Sequence, residues 1–339
     1  MAAVAPAPVD VVALTRALVD IDSTTGIEAN AGRYLSSYLR ARGLLVLEQP
    51  VDKVRFNVIA SYVDTPEVVL STHFDCVPPF FPSREESGRI YGRGSCDAKG
   101  IVAAQVAAAD RLRREGETRV GLLFLVGEER GADGAKRANG VADGCRYLVN
   151  GEPTDNRLGT ATRGTVRLKL KATGRAAHSS FPELGDSAID RLIDALVHLR
   201  TLPLPADPVL GLTHYTVGTI SGGVAPNVVS PSAEAEVMFR TVSEASDVRA
   251  AIRSLEEIVT IETRHEVPPV RLTTVPGFEQ AVFPYTTDIP FLYEWGQPLL
   301  FGPGSIHQAH TADESVGIDE LHTAVDGYVR IARALLTPR

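Results

Sequence analysis

Two adjacent carboxylates, Glu128 and Glu129, follow the apolar run Val120 to Val126 after a single glycine, Gly127. Ionised carboxylates at the end of a buried strand are costly unless something positive compensates them. Adjacent side chains also diverge, so one can bind a cation while the other faces a reacting water. A second run, Val68 to Leu70, leads into Ser71-Thr72-His73-Phe74-Asp75. A carboxylate two residues beyond a histidine can accept its second ring N–H and fix the tautomer that a metal ligand needs. Asp97 lies in the glycine-rich segment Tyr91 to Gly100, Glu152 in Gly151-Glu152-Pro153-Thr154, and His310 at the end of Gly302 to His310. Taken alone, His73 and Asp75 fit a structural role and Asp97 fits a helix N-cap. The glycine-rich segment lacks the spacing of a phosphate-binding loop.

Together the segments ask for more. If the strand ends converge, Asp75, Asp97, Glu128, Glu129 and Glu152 share a pocket with His73 and His310. That many formal negatives cannot all stay ionised in a partly dry pocket without cations. Two divalent ions would supply the balance. Mixed histidine and carboxylate ligands with a bridging carboxylate suit zinc, with manganese or cobalt as substitutes. Two such ions, about 3.5–4 Å apart, would clamp a water and polarise a carbonyl.

The elements that must position these residues can be read from periodicity. Val9 to Val19 and Ala29 to Arg42 have helical spacing, and a long Ala-rich helix is expected over Gly100 to Arg114. Strand-like runs occur at Leu44 to Leu47, Asn57 to Tyr62, Val68 to Ser71, Val120 to Val126 and Tyr147 to Val149, with one more at Pro298 to Gly302. Strands alternating with helices predict an α/β layer with a mainly parallel sheet. From Gly164 the texture changes: Thr165 to Ala172 alternates with the two-residue period of a half-exposed antiparallel strand. A helix over Ser187 to Arg200, strands at His214 to Ser221 and Ala233 to Thr241, and a helix over Ala245 to Val259 follow. The second domain reads as an α+β insertion, expected to hold two helices and four strands, three of which these runs locate. The expected boundaries are 1–162 with 273–339 for the first domain and 163–272 for the insertion.

The 339 residues carry a formal charge of −8 and no basic cluster, which argues against a nucleic-acid partner. No apolar run is long enough to span a bilayer. The N-terminal stretch lacks the layout of an export signal, and three scattered cysteines (Cys76, Cys96, Cys145) suit a reducing compartment, so the expected location is cytoplasmic.

The segments STHFDCVP, GRGSCDAKG, GEER, GEPT, AAHSS, GGVAPNVV, FRT and GPGSIHQAHTADE, in this order, resemble the M20 family of dinuclear-zinc peptidases and deacylases. The resemblance runs from about residue 71 to 314. It implies that His73 and Glu152 ligate one zinc and Glu129 and His310 the other, that Asp97 bridges both, and that the bond from Asp97 to Ala98 is cis. It makes Asp75 the group that orients His73 and Glu128 the general base, which takes a proton from water and returns it to the departing amine. In the insertion, His178 matches an oxyanion-stabilising histidine that reaches into a partner subunit's site. Asn227 and Arg240 match substrate-holding residues, with Arg240 gripping an α-carboxylate. Gly304 is a further expected substrate contact. The inserted domain would thus serve as a lid and a homodimer interface. His307, three residues before His310, departs from several relatives; His310 is the better match for the ligand.

Within that family the motifs look most like the acetylornithine deacetylase branch. The leading expectation is hydrolysis of an N-acyl-L-amino acid, N2-acetyl-L-ornithine, in arginine biosynthesis. Succinyl-diaminopimelate or acyl-lysine deacylation and dipeptidase or carboxypeptidase activity are rivals with the same chemistry. A non-catalytic dimeric binding protein is the alternative from another class.

Overall fold

The computed structural model describes residues 6–337. The first five residues of the stretch weighed as an export signal, and the outermost residues of the first expected domain, lie outside the described residues. Two compact units are found among these: residues up to 160, 272–281 and from 287 onward form one, and residues 161–271 with 282–286 the other.

The first unit is built on a six-stranded sheet. Its strands are β1 (Leu45–Pro50), β2 (Phe56–Ser61), β3 (Val68–His73), β4 (Val120–Leu125), β5 (Tyr147–Asn150) and β6 (Gln297–Leu300). They lie in the order β1-β2-β4-β3-β5-β6, and β4, β3, β5 and β6 are mutually parallel. β3 and β4 are buried at every position, as near-continuous Val and Leu runs require when helices cover both faces. One face packs on the helices Lys99–Arg114 and Ile318–Leu336. The first of these lies within the same buried cluster as the second, and its contact residues include Ala103, Ala104, Ala107 and Ala108. Small side chains let the backbone approach closely on both sides. The other face packs Val69, Leu123, Leu125 and Leu148 against Ala135, Leu292 and Trp295.

Register sets where the strands stop. His73 pairs with Leu125, Ser71 with Asn150, and Asn150 with Leu300. The carboxyl ends of four neighbouring strands therefore fall nearly level, and each runs into a segment that carries acidic or histidine side chains. Among the described residues no helix is long and apolar enough to cross a membrane.

The second unit is a four-stranded antiparallel sheet ordered His214–Gly222, Ser232–Thr241, Gly164–Thr173, Thr260–Val267. Val166, Leu168 and Leu170 point to a core shared with Leu192, Leu199, Val248 and Leu255, while the intervening Arg167 is exposed. Ser187 caps the Ala188–Leu199 helix by accepting the Asp190 N–H. The helix expected over 245–259 instead stops at Ala251 and continues as a 3-10 turn over Arg253–Glu257. Val248, Ile252 and Leu255 are all buried, and the tighter turn keeps these three on the face that meets the sheet.

Leu70 lies at the centre of β3 and is fully buried. Leu70→Ala should lower unfolding stability by about 2–5 kcal/mol, read from a denaturant midpoint. A loss below about 1 kcal/mol would mean that this layer is not close-packed.

Candidate metal centre

His73 is the last residue of β3 and is almost fully buried. Its Nδ1 lies 3.1 Å from the Asp75 backbone oxygen and 3.4 Å from Asp75 Oδ1. Nδ1–H therefore has acceptors in reach, which leaves Nε2 to face Asp97 Oδ1 at 2.9 Å. Asp75 does more than orient this ring. Its Oδ1 accepts the Glu128 N–H at 3.1 Å, and its Oδ2 accepts the Glu129 N–H at 3.3 Å and the Thr25 hydroxyl at 2.8 Å. One carboxylate thus ties the end of β3 to the turn after β4. That turn opens at Gly127 with φ +76°, a conformation that glycine adopts without strain, and continues as a 3-10 turn over Glu128–Arg130.

Asp97 stands immediately before the Lys99–Arg114 helix, but the cap position belongs to Ala98 and no side chain caps the helix. The N-cap role considered for Asp97 is not the one it takes. Its two oxygens face two histidines: Oδ1 toward His73 Nε2, and Oδ2 toward His310 Nε2 at 3.4 Å. The Asp97–Ala98 peptide is cis. His310 Nε2 also lies 2.9 Å from Glu129 Oε1, and His310 adopts φ +65°, a left-handed conformation that few non-glycine residues adopt. His307 is exposed and makes none of these contacts. Glu152 is buried two residues beyond β5, with Oε1 lacking any hydrogen-bond partner. Gly304, at φ +77°, is required by packing: a Cβ there would come within 2.6 Å of Cys96 Sγ. Its carbonyl accepts the Asp155 N–H at 2.7 Å.

The electrostatics follow from burial. Desolvation pushes the Glu128 and Glu152 carboxyls well above the ordinary range and also raises Glu129. Burial works against ionised Asp97 too, but the bonds from His310 and His73 outweigh it and hold Asp97 low. The contacts with Asp97 and Glu129 raise His310 to about 10. Burial disfavours charged His73, yet the bonds to Asp75 and Asp97 overcome it and raise this imidazole well above its usual value. With the protein's own groups alone, burial favours neutral carboxyls on Glu128 and Glu152, while the neighbouring carboxylates favour charged imidazoles.

One more acid belongs here. Asp288 is buried with an unpartnered Oδ1, and burial raises it to about 7 beside His73, Asp75 and Glu129. Little in the sequence marks it: Thr286-Thr287-Asp288 precedes a short 3-10 turn over Ile289–Phe291 and follows the short strand Gln280–Phe283, which lies outside the six-stranded sheet.

The donor set fits metal. Ligand atoms of His73, Asp97 and Glu129 all lie within 4.8 Å of one another. The unpartnered Glu152 oxygen needs a positive partner, and the mixed nitrogen and oxygen donors are those of zinc and its neighbours.

His178, Asn227 and Arg240 lie in the second unit. His178 is exposed and bridges to Val228, and its Nδ1 accepts the Ser180 N–H at 3.1 Å. In a neutral ring that places the proton on the outward Nε2. The Asn227 carbonyl accepts the Ser179 N–H at 3.0 Å, so the two loops are zipped together. Arg240 is exposed and donates to Thr165 Oγ1 at 3.1 Å. Among the described residues it has no carboxylate partner.

A doubly-wound sheet with histidines and carboxylates gathered at its carboxyl edge defines a metallohydrolase. The sequence pattern of Peptidase family M20/M25/M40 matches residues 69–334, and the chain belongs to this family. A peptidase M20 domain-containing protein of Schizosaccharomyces pombe is 39% identical, over 96% of this chain and 85% of its own length. A probable carboxypeptidase of Aspergillus terreus is 40% identical, over 95% of this chain and 85% of its own. Among solved structures, a tripeptidase from Staphylococcus aureus superposes with a TM-score of 0.81 at 20% identity, covering 97% of this chain and 99% of that one. The chain is an M20-family peptidase or metallohydrolase.

Because ligation requires neutral imidazoles and ionised carboxylates, metal uptake should release protons, and apparent affinity should fall as pH drops through the neutral range. Calorimetric titrations in buffers of different ionisation heat measure this; a heat independent of buffer would contradict the assignment.

Proposed function

We propose that this chain is a dinuclear-metal carboxypeptidase or N-acyl-amino-acid hydrolase, cleaving the amide that joins an acyl group to a C-terminal L-amino acid. The observation that carries the reading is the Asp97 carboxylate, with one oxygen toward each of two histidines. His73 and Glu152 would hold one ion, Glu129 and His310 the other, with Asp97 shared; zinc is the favoured metal, with cobalt or manganese as substitutes. Bound there, the ions polarise the substrate carbonyl and lower the pKa of the attacking water.

The chain's own groups do the rest. Glu128, beside Glu129 on the turn held by Asp75, accepts the proton of the attacking water and passes it to the departing amine. Burial, which raises the Glu128 carboxyl, suits a group that must both take up and give back a proton. His178 offers Nε2–H to the developing oxyanion. Arg240, with no carboxylate partner among the described residues, grips the substrate α-carboxylate as a fork, and Asn227 and Gly304 are further substrate contacts in this reading. The carboxypeptidase names of relatives 38–40% identical favour a peptide over N2-acetyl-L-ornithine or succinyl-diaminopimelate, which present the same amide and carboxylate.

A homodimer through the second unit belongs to this reading. Ile189, Ile193 and Val197 recur at helical spacing and are exposed, Ile193 and Val197 by half, and Ile220 on the edge strand His214–Gly222 is 63% exposed. An apolar stripe beside an open strand edge is what a second copy would cover.

Glu128→Gln should retain metal while kcat falls by about 10²–10⁴-fold; near-normal turnover removes it as the base. Arg240→Ala should raise KM by about 10–100-fold for substrates with a free α-carboxylate and change little for amidated ones. Equal effects on both would sink the fork. Mixed dimers of His178→Ala and Glu128→Gln chains should regain activity if His178 serves a partner's site, and no recovery would assign it to its own chain. A panel of N-acyl amino acids and short peptides tests the class. Hydrolysis of none by metal-loaded protein would leave the non-catalytic binding reading in its place.

A further inference from the structure

The Glu314 side chain is fully buried and makes four hydrogen bonds to one loop. Its Oε1 accepts the backbone N–H groups of Gly94 at 3.0 Å, Cys96 at 3.2 Å and Asp97 at 3.0 Å. Its Oε2 accepts from Arg93 Nη1 at 2.6 Å. The Glu314 carbonyl adds the Gly92 N–H at 3.0 Å and the Ser95 hydroxyl at 3.3 Å. Successive amides converging on one oxygen form an anion-binding nest, here occupied by the chain's own carboxylate. Arg93 is buried as well, so the pair is neutral in place.

We infer that Glu314 is a positioning residue that fixes Asp97 relative to His310 and thereby sets the spacing of the two ions. This inference rests on the dinuclear reading above. Asp97 is held from behind by its own N–H on Glu314, while its carboxylate oxygens face His73 and His310. His310 lies only four residues before Glu314 in the same segment. One short stretch therefore carries both a candidate ligand and the clamp on the shared carboxylate. Metal sites tolerate errors of only about 0.2 Å in ligand placement, so a flexible loop at 92–97 would lose the second ion first. Glutamine cannot replace the carboxylate cleanly: its amide nitrogen would confront either the three backbone N–H groups or the Arg93 guanidinium, all of them donors.

The test is a Zn²⁺ titration of chelator-stripped protein. Wild type should bind two ions tightly, and Glu314→Gln should hold one while binding the other about 10–100-fold more weakly. Excess Zn²⁺ should then restore turnover with KM unchanged, a rescue that general loss of structure would not give. Hydrogen exchange on stripped wild type gives a second readout that needs no variant: the Gly94, Cys96 and Asp97 amides should be protected before metal is added. Wild type that binds no ion tightly overturns both the dinuclear reading and this inference. Two ions bound by Glu314→Gln with wild-type affinity, or rapid exchange of those three amides in wild type, overturns this inference alone.

Discussion

Negative charges crowded into a space shielded from water repel one another, and each loses hydration that only a nearby positive group restores. The first unit gathers Asp75, Asp97, Glu128, Glu129, Glu152 and Asp288 around two imidazoles. Two acids are stabilised within the protein, Asp75 by backbone amides and Thr25 and Asp97 by histidines. Glu152 and Asp288 keep unpartnered oxygens. A site so short of cations is assembled to receive them.

The sheet makes this assembly possible. Parallel pairing sends β3, β4, β5 and β6 in one direction, and their register stops them nearly level. Residues separated by more than two hundred positions, such as His73 and His310, then meet without any long excursion of the chain. Hydrogen bonds across the strand ends hold the turns in place: Gly151 N–H to Ser71, Thr72 hydroxyl to Gly151, and Gly302 N–H to Thr154. The apolar core beneath supplies the rigidity that ligand geometry needs, while the chemistry sits on the irregular segments above it.

Much of this was legible in the residues. The Val and Leu runs marked the buried strands, the alternation of Thr165 to Ala172 marked the half-exposed one, and acids placed just past strand ends marked the pocket. What escaped shares a physical cause. Thr260–Val267 reads TIETRHEV, an edge strand that is mostly exposed, with only Ile261 and Val267 apolar and a register shift between Thr263 and His265, so it has no sustained apolar face to find. Asp288 follows none of the parallel strands that carry the other acids. The Glu314 side chain makes four hydrogen bonds, but three of them are to backbone N–H groups, which every sequence contains and none advertises. The break after Ala251 depends on which residues the sheet accepts, a tertiary demand that overrides local helical preference.

The claim that the rest depends on is that Asp97 is shared between two cations. Anomalous scattering from crystals grown with zinc, with data collected on both sides of its absorption edge, tests it directly. The account predicts two peaks flanking the Asp97 carboxylate, one beside His73 and Glu152 and the other beside Glu129 and His310, about 3.5–4 Å apart. A single peak, or peaks away from Asp97, would contradict it.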